Sequence, residues 1–418
     1  MKSTPAVVLT GLGALTPLGN DVATNWSHLS TGVSGIRALE AAWAADIAVR
    51  FAGQVTVDVD AVLGRSPARR LDRVSQLTLI AYQEAFRDSQ LEPGGFDPER
   101  VAVCFGTGVG GIQSALEQWK VMQEQGARRV NPFTIPMLMG NAPAAQIALA
   151  CNAKGAVRTS VSACASSADA LALALDTIRL GRADVVIAGG AEAPLHPLTI
   201  SAFAQMRALS TRNDDPAGAS RPWDTTRDGF VMAEGAVVLV LESLPHALAR
   251  GAHIYATLAG AGITADSYDL VQPDPTGDGQ IRAMRLALAD AGLSAADIAH
   301  VNAHATATPT GDMVEAAAIR AALGAATDQV AVTGTKSVTG HLLGGAGAME
   351  TLATALALYH RSVPPTINLT SPEPELTLDV ATTARALPHT PLAALNNSFG
   401  FGGHNVALAL TDQHATRR

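Results

Sequence analysis

Aromatic side chains are scarce in this chain: they make up 4% of its 418 residues, whereas 48% of the residues are apolar. A hydrophobic core must therefore be filled mainly by Ala, Val and Leu. The chain is long enough to bury such a core in two domains or in one large duplicated domain.

Cysteine is also rare. The three cysteines, Cys104, Cys151 and Cys164, are an odd number without paired spacing, which argues against a disulfide framework and favours a reducing compartment. No uninterrupted apolar run reaches the roughly 18 residues of a membrane span. The first apolar segment, residues 6–10, is too short for the apolar region of a signal peptide. We therefore expect a cytoplasmic protein that does not bind membranes.

The chain has no excess of positive charge, since its formal net charge is −8 and its isoelectric point is about 5.7. No global field would attract nucleic acid or a membrane surface. The exception is local: Arg65, Arg69, Arg70 and Arg73 lie within nine residues. A solvated charged face is the usual meaning of such a run.

Cys164 lies between a strand-like run at residues 157–161 and an apolar helical pattern in which Leu171, Leu175 and Ile178 recur about once per turn. The cysteine is therefore predicted at a strand-to-helix corner, where free N–H groups and the helix dipole favour a thiolate. A thiol pKa lowered to about 7 would leave roughly half of the thiol ionised at neutral pH. A small buried apolar side chain is the alternative.

Two later stretches place histidines in loops of small residues. Residues 301–312 read Val-Asn-Ala-His-Ala-Thr-Ala-Thr-Pro-Thr-Gly-Asp and follow a strand-like run, with a surface loop as the alternative explanation. Residues 330–350 again pass from a strand to a small-residue loop to an apolar helix. His341 falls there at the place that Cys164 occupies in its own stretch.

A glycine-rich run at residues 106–111, Gly-Thr-Gly-Val-Gly-Gly, follows a strand predicted at residues 101–105. Alone it is a weak dinucleotide-binding pattern. The acidic residue that such a site needs at the end of a following strand is not evident.

Strands and helices alternate along the chain, which predicts a layered α/β fold. The first strand is predicted at residues 6–10, followed by a loop at residues 11–19. Two halves repeat a strand–turn–helix unit that carries Cys164 or His341, and both halves close on similar apolar strands. This repetition indicates an internal duplication, with halves at residues 1–253 and 254–418.

Together these motifs resemble those of the β-ketoacyl-acyl carrier protein synthases of type II, elongating condensing enzymes of the thiolase-like superfamily. The resemblance extends over nearly the whole chain and implies a five-layer αβαβα fold. The motifs that carry it are Ser-Ala-Cys-Ala at residues 162–165, the segment 302–312, Gly-Thr-Lys-Ser-Val-Thr-Gly-His at residues 334–341 and Asn-Asn-Ser-Phe-Gly-Phe-Gly-Gly-His-Asn at residues 396–405.

The resemblance implies a decarboxylative Claisen condensation in fatty-acid elongation. Cys164 would carry the acyl chain as a thioester, and the backbone N–H groups of Cys164 and Phe399 would form an oxyanion hole. His304 and His341 would stabilise the enolate that forms when malonyl-acyl carrier protein loses CO₂. Phe399 would also act as a gate that moves when the acyl chain arrives.

Other residues would support the site or line the path of the substrate. Lys336 is expected as a buried ammonium that orients its loop and pairs with Glu350. Asp312 and Glu315, at the start of a helix, are expected to give structural support. The residues expected to bind substrate are Thr306, Thr308, Val109, Phe203, Gly400 and Phe401.

The substrates would arrive on the phosphopantetheine arm of an acyl carrier protein, with no bound cofactor and no metal. A basic patch on an acidic enzyme would attract this acidic partner by charge. A homodimer is expected, with residues 128–139 crossing its interface, and a heterodimer with a cysteine-less homologue is the alternative. The expected docking residues are Arg65, Arg69, Arg70 and Arg207.

The chain departs from the family pattern at a few positions. Ser162 stands where threonine is usual, and Ala305 stands where glycine is usual after the first histidine. If the φ angle of Ala305 is positive, the alanine costs roughly 1 kcal/mol and could shift His304.

Other functions remain to be weighed against fatty-acid elongation. The main alternative is the catalytic ketosynthase of a discrete-subunit polyketide or polyene pathway. A non-catalytic subunit and a thiolase are both opposed by the combination of Cys164, His304, His341 and Lys336.

Overall fold

The computed structural model describes residues 4–92, 94–388 and 392–412, and strands and helices alternate along them. The strands are β1 (Val7–Leu15), β2 (Ile36–Ala38), β3 (Phe51–Gly53), β4 (Val101–Gly106), β5 (Val157–Ser160), β6 (Val185–Glu192), β7 (Gly235–Ser243), β8 (Ala256–Ala265), β9 (Ile298–Asn302), β10 (Ala331–Thr333), β11 (Ser362–Val363), β12 (Arg385–Ala386), β13 (Ala393–Gly400) and β14 (His404–Thr411). The α-helices are α1 (Val22–Thr31), α2 (Val59–Leu63), α3 (Arg65–Ala68), α4 (Arg73–Asp88), α5 (Ile112–Gln125), α6 (Thr134–Leu138), α7 (Ala142–Cys151), α8 (Ser166–Arg179), α9 (Pro197–Gln205), α10 (Leu244–Ala249), α11 (Asp278–Ala291), α12 (Gly311–Leu323), α13 (Lys336–Thr339) and α14 (Ala346–His360).

Ten strands form one continuous sheet in the order β10-β9-β13-β14-β8-β1-β7-β6-β4-β5. The sheet divides into two sets of five with the same arrangement: β5-β4-β6-β7-β1 and β10-β9-β13-β14-β8. In each set the first three strands are parallel and the last two pairings are antiparallel. Strands β1 and β8 join the two sets as an antiparallel pair. The predicted internal duplication is therefore confirmed by the topology.

Helices cover both faces of the two strand sets. Helices α8 and α14 pack against each other between the sets, α4 and α7 cover the outer face of the first set, and α11 and α12 cover that of the second. This arrangement confirms the expected five-layer αβαβα order. The two helices of the middle layer are the ones that follow Cys164 and His341 in the chain, so the fold brings their N-terminal ends together.

Small and aliphatic side chains fill the core, as the composition predicts. The central cluster around α8 and α14 consists of Ala, Val, Leu and a few other apolar residues. The middle helices approach closely, because a Cβ added at Gly347 would lie 2.8 Å from the backbone nitrogen of Ala168. Within the described residues, no helix combines the length and the apolar character needed to cross a membrane.

The predicted loop at residues 11–19 is wrong in its first half, because β1 continues to Leu15. The strand pairs with β7 along this length, with a bulge between Leu9 and Gly11. Gly11 and Gly13 are not turn residues. A Cβ at either position would lie within 2.4 Å of a backbone oxygen of α4, so these glycines allow the helix to pack closely on the sheet.

Candidate active site

Cys164 lies in a short 3₁₀ turn between β5 and α8, at the predicted strand-to-helix corner. The turn is tight, since Ala163 has a φ of +50°, a conformation that costs free energy for a residue with a Cβ. The Ser166 hydroxyl accepts a hydrogen bond from the Ser162 N–H at 2.9 Å and donates to the Ala163 carbonyl at 2.6 Å. These bonds hold the thiol at the start of the helix.

The expectation that the helix N-terminus lowers the pKa of Cys164 is wrong. Burial raises the pKa of the thiol to about 12, although the Lys336 ammonium and a hydrogen bond from the Phe401 N–H both act to lower it. The thiol keeps partial access to solvent, but its charged form is poorly hydrated in this position. The thiol is therefore neutral at physiological pH, and it would have to lose its proton to act as a nucleophile.

The Gly400–Phe401 segment lies directly against the nucleophile turn. A Cβ added at Gly400 would lie 2.6 Å from the Ser162 carbonyl oxygen and 3.1 Å from the Cys164 nitrogen, so only glycine allows this approach. The amide that reaches the sulfur belongs to Phe401. Phe399, to which the resemblance assigned this role, instead pairs with Asn405 in the β13–β14 hairpin.

His304 follows β9, and the ammonium of Lys336 contacts both its carbonyl oxygen and its ring. The Lys336 ammonium donates to the His304 carbonyl oxygen at 2.5 Å and lies 3.3 Å from its Nδ1. An ammonium can only donate, so Nδ1 accepts and the proton of the neutral imidazole lies on Nε2. Lys336 is buried and also forms the expected ion pair with Glu350.

His341 lies beside His304, with 5.4 Å between their ring centroids and nearly perpendicular planes. Burial, followed by the charge of Lys336, lowers the pKa of both histidines well below 6.5. Both imidazoles are therefore neutral at physiological pH, and each has one N–H to donate. The Phe399 ring lies 5.9 Å from that of His304, between centroids.

Cys164, His304 and His341 line a single cavity of about 580 Å³. These three side chains come from segments that are far apart in the sequence, and the fold brings them to one cavity wall, as the resemblance implied. All of the residues expected to bind substrate are also on its wall: Thr306, Thr308, Val109, Phe203, Gly400 and Phe401. So are Phe399, Arg207, Asp312 and Glu315.

The loop after His304 is held by two buried carboxylates from α12. Glu315 accepts hydrogen bonds from the N–H groups of His304 and Ala305, each at 2.8 Å, and Asp312 accepts from the N–H of Ala307 at 3.0 Å. Ala305 and Ala307 have φ angles of +38° and +66°. The φ angle of Ala305 is therefore positive, so the alanine is strained at this position. The two carboxylates hold the strained loop in place.

Glu192 was not identified from the sequence, although it is fully buried and lines the cavity. It accepts hydrogen bonds from the N–H groups of Gly108 (2.6 Å), Val109 (3.2 Å) and Gly344 (3.0 Å), and from the Thr107 hydroxyl at 2.9 Å. It therefore ties the Val109 wall to the segment after His341. The only feature of the sequence that could have pointed to Glu192 is its charge at the end of an otherwise apolar strand, β6.

The same bonds rule out the dinucleotide interpretation of residues 106–111. A phosphate at such a run would need free backbone N–H groups, and those of Gly108 and Val109 are used by Glu192.

The clustered arginines separate into two groups. Arg65, Arg69 and Arg70 line a shallow hollow together with Phe133, and the Arg70 guanidinium lies 5.2 Å above the Phe133 ring. We call this hollow the arginine hollow. Arg73 does not belong to it, because its side chain is half-buried and forms an ion pair with Glu234 at 2.7 Å. No group of three or more His, Cys, Asp or Glu side chains in the described ranges could hold a metal ion.

Family comparisons cover most of the chain. Residues 4–247 match the β-ketoacyl synthase N-terminal domain, and residues 255–370 match the β-ketoacyl synthase C-terminal domain. A 3-oxoacyl-[acyl-carrier-protein] synthase 2 of Synechocystis is 45% identical over 406 residues, which are 96% of this chain and 97% of that protein. The enzyme of the same name from Staphylococcus aureus strain N315 is 41% identical over 98% of both chains.

Two solved structures have the same fold over nearly their whole length. A β-ketoacyl synthase of Burkholderia phymatum is 34% identical, with a TM-score of 0.90 over 98% of this chain and 99% of that one. A type II polyketide ketosynthase in complex with its acyl carrier protein is 31% identical, with a TM-score of 0.90 over 98% and 100%. From the matched domains, the identities and the shared fold, it follows that this chain belongs to the β-ketoacyl synthase family.

Proposed function

We propose that this chain catalyses the decarboxylative condensation of malonyl-acyl carrier protein with an acyl chain bound to Cys164, giving a β-ketoacyl-acyl carrier protein in fatty-acid elongation. The observation that carries the proposal is the meeting of one thiol and two neutral imidazoles on the wall of a single cavity. It is supported by relatives that are 41–45% identical and are named 3-oxoacyl-[acyl-carrier-protein] synthase 2. The enzyme is thus an acyltransferase.

In the first half-reaction, the Cys164 sulfur attacks the thioester carbonyl of the incoming acyl chain. The thiol proton passes to the sulfur of the departing carrier arm, and the acyl group remains on Cys164. The developing oxyanion needs donors that are already in place. We assign them to the backbone N–H groups of Cys164 and Phe401, because the Phe401 amide is the one directed at the sulfur.

In the second half-reaction, the malonyl thioester loses CO₂, and the electron pair of the broken carbon–carbon bond forms an enolate. His304 and His341 donate their N–H groups to the enolate oxygen. Because both imidazoles are neutral, each stabilises this charge by donating a hydrogen bond from its N–H, and neither has to transfer a proton to the oxygen. The enolate carbon then attacks the acyl carbonyl, the bond to the Cys164 sulfur breaks, and the released thiolate takes up a proton.

The cavity wall provides separate places for the arm and the acyl chain. Thr306 and Thr308 carry hydroxyl groups 3.1 Å apart, and we assign them to the phosphopantetheine arm. Val109 and Phe203 are apolar and are assigned to the acyl chain. In this scheme the half formed by residues 1–253 provides the nucleophile, and the half formed by residues 254–418 provides the two histidines.

The acyl carrier protein is assigned to the arginine hollow and to Arg207 at the cavity wall. Arg65, Arg69 and Arg70 are three cations around one hollow, and the ion pair of Arg65 with Asp60 is exposed and weak. Arg69→Glu should raise the KM for the carrier-bound substrate, and this KM should then depend less on salt concentration than in the wild type. Acylation from a free pantetheine thioester should not change. The exposed Arg285, replaced by Glu, is the matched control.

We assign a homodimer to this chain because β5 is an open edge of the ten-stranded sheet. An exposed edge with apolar side chains is prone to pair with another chain. Val157 on this strand is exposed, and so are Ile135 and Met139 in the segment expected at the interface. Val157→Lys should therefore shift the mass measured by light scattering towards the monomer, whereas Leu248→Lys at another exposed apolar position should not.

The decisive experiment combines intact-mass analysis with a decarboxylation assay. Cys164→Ala should lose acylation and condensation but retain some malonyl decarboxylation, and His304→Ala should lose decarboxylation. The buried Cys104 provides a control, since Cys104→Ala should still be acylated. Full decarboxylation by His304→Ala would refute the role given to this histidine.

A discrete-subunit polyketide ketosynthase is the second candidate. It is favoured by the structural match to the ishigamide ketosynthase/chain length factor, with 30% identity and a TM-score of 0.91. The higher identity to the 3-oxoacyl synthases favours fatty-acid elongation. Co-purification distinguishes the two, because a polyketide subunit would form a heterodimer with a cysteine-less homologue.

A further inference from the structure

Among the residues that line the cavity in the described part of the chain, His341 and Gln280 carry buried side-chain polar atoms without a hydrogen-bond partner. The N–H nitrogen of His341 is explained, because the proposed reaction brings an enolate oxygen to it, whereas the other ring nitrogen is an acceptor that this oxygen cannot satisfy. The Gln280 Oε1 has no such explanation. Gln280 lies in the first turn of α11, and its side chain is 3% exposed.

Other polar side chains on the cavity wall already have partners. Asp266 accepts a hydrogen bond from the Asn405 amide at 2.6 Å, and the hydroxyl groups of Thr306 and Thr308 bond each other. A buried carbonyl without a donor is costly, and native structures rarely leave one unsatisfied. An apolar side chain of the same size, such as Met, would avoid this cost. The oxygen is therefore explained best by a donor that the ligand supplies.

The chemistry of the substrates limits which group can be this donor. A fatty acyl chain has no N–H or O–H group, and the malonyl carboxylate and thioester oxygens only accept hydrogen bonds. The carrier arm is different, because pantetheine contains two amide N–H groups and a hydroxyl. We infer that the Gln280 Oε1, on the wall of the same cavity as the two threonines, accepts a hydrogen bond from a donor of the pantetheine arm. This inference rests on the proposed function.

The test compares two acyl donors with the same acyl chain: a pantetheine thioester, and an S-ethyl thioester that has no arm. The rate of Cys164 acylation is measured by intact mass with each donor, and the ratio of the two rate constants is the arm preference. General damage to the fold slows both reactions and leaves the ratio unchanged. Gln280→Met removes the acceptor while keeping the size of the side chain, and Gln280→Glu keeps an acceptor.

We expect Gln280→Met to lower the arm preference by about three- to tenfold, the usual effect of losing one hydrogen bond. Most of the loss should be in KM, because the arm is bound alike in the ground state and the transition state. Gln280→Glu should retain more of the preference than Gln280→Met. The exposed Gln329, replaced by Met, is the matched control and should leave the ratio unchanged.

An unchanged arm preference in an active Gln280→Met enzyme would overturn the inference. So would an equal loss with both donors, since it would mean that Gln280 acts only through the fold. The proposed function fails in a different way: the wild-type protein would then not be acylated at Cys164, or would not decarboxylate malonyl thioesters.

Discussion

The ammonium of Lys336 has two effects that a substitution can separate. It neutralises the buried carboxylate of Glu350, and it fixes the proton of His304 on Nε2 by occupying Nδ1. Lys336→Met removes both effects, whereas the double variant Lys336→Met/Glu350→Gln removes the proton-fixing contact without leaving a buried charge unpaired.

The two effects differ in size and in readout. Breaking a buried ion pair by removing one partner costs about 3–5 kcal/mol, and both side chains here are at most 3% exposed. Lys336→Met should therefore lower the free energy of unfolding by up to that amount, and the loss should grow above pH 7, because burial raises the pKa of the Glu350 carboxyl to about 7 and the carboxyl is protonated at lower pH. The double variant should recover most of the loss. Decarboxylation should stay roughly 10²- to 10⁴-fold below wild type in both, because the His304 imidazole no longer presents Nε2–H reliably.

Urea unfolding and a malonyl-thioester decarboxylation assay measure the two quantities on the same preparations. Arg385→Met is the control, because it breaks an exposed ion pair, that of Arg385 with Asp379, instead of a buried one. The exposed pair is expected to contribute under about 1 kcal/mol to the free energy of unfolding. Recovery of decarboxylation together with stability in the double variant would refute the reasoning. Lys336 would then act only by neutralising Glu350.

Three further outcomes follow from the site. Alkylation of Cys164 by iodoacetamide should rise about tenfold per pH unit from pH 6.5 to 9 without a plateau, because burial raises the thiol pKa; a plateau near pH 7 would contradict this. Ala305→Gly should raise the free energy of unfolding by up to about 1 kcal/mol, because Ala305 has a positive φ, and a decrease in urea unfolding would argue against strain. Glu192→Gln offers one acceptor oxygen in place of two, so at least one backbone amide loses its partner at a cost of about 1–3 kcal/mol. The rate of Cys164 acylation, measured by intact mass, should then fall more for long acyl chains than for acetyl. An equal fall for both donors would show that Glu192 does not hold Val109 in place.

The sequence and the family resemblance were sufficient to predict the layered fold and to pick out three side chains, Cys164, His304 and His341, that line one cavity. Cys164 and His341 lie at the starts of helices that follow strands, and this local pattern is visible in the spacing of apolar and small residues. The buried pairing of Lys336 with Glu350 was also expected, because it followed from the resemblance together with the need to satisfy a buried charge.

Tertiary contacts decided what the sequence could not. Gly11 and Gly13 suggested a loop, but they serve the close approach of α4 to β1. The sign of the pKa shift at Cys164 depends on burial, which local sequence does not record. The choice between Phe399 and Phe401 depends on which amide the hairpin turns towards the sulfur. Glu192 was missed because its four hydrogen-bond donors come from two segments, residues 107–109 and Gly344, that are far from it in the sequence.

The seam between β1 and β8 has a consequence for how substrates enter. Cys164 and the two histidines lie on opposite sides of this seam, yet the β1–β8 pairing and the packing of α8 on α14 join the two sides. The spacing between these three side chains is thus set by the scaffold, and a hinge motion between the two strand sets would change it. A tethered substrate therefore has to enter between the loops that line the cavity, while the positions of Cys164 and the two histidines stay fixed.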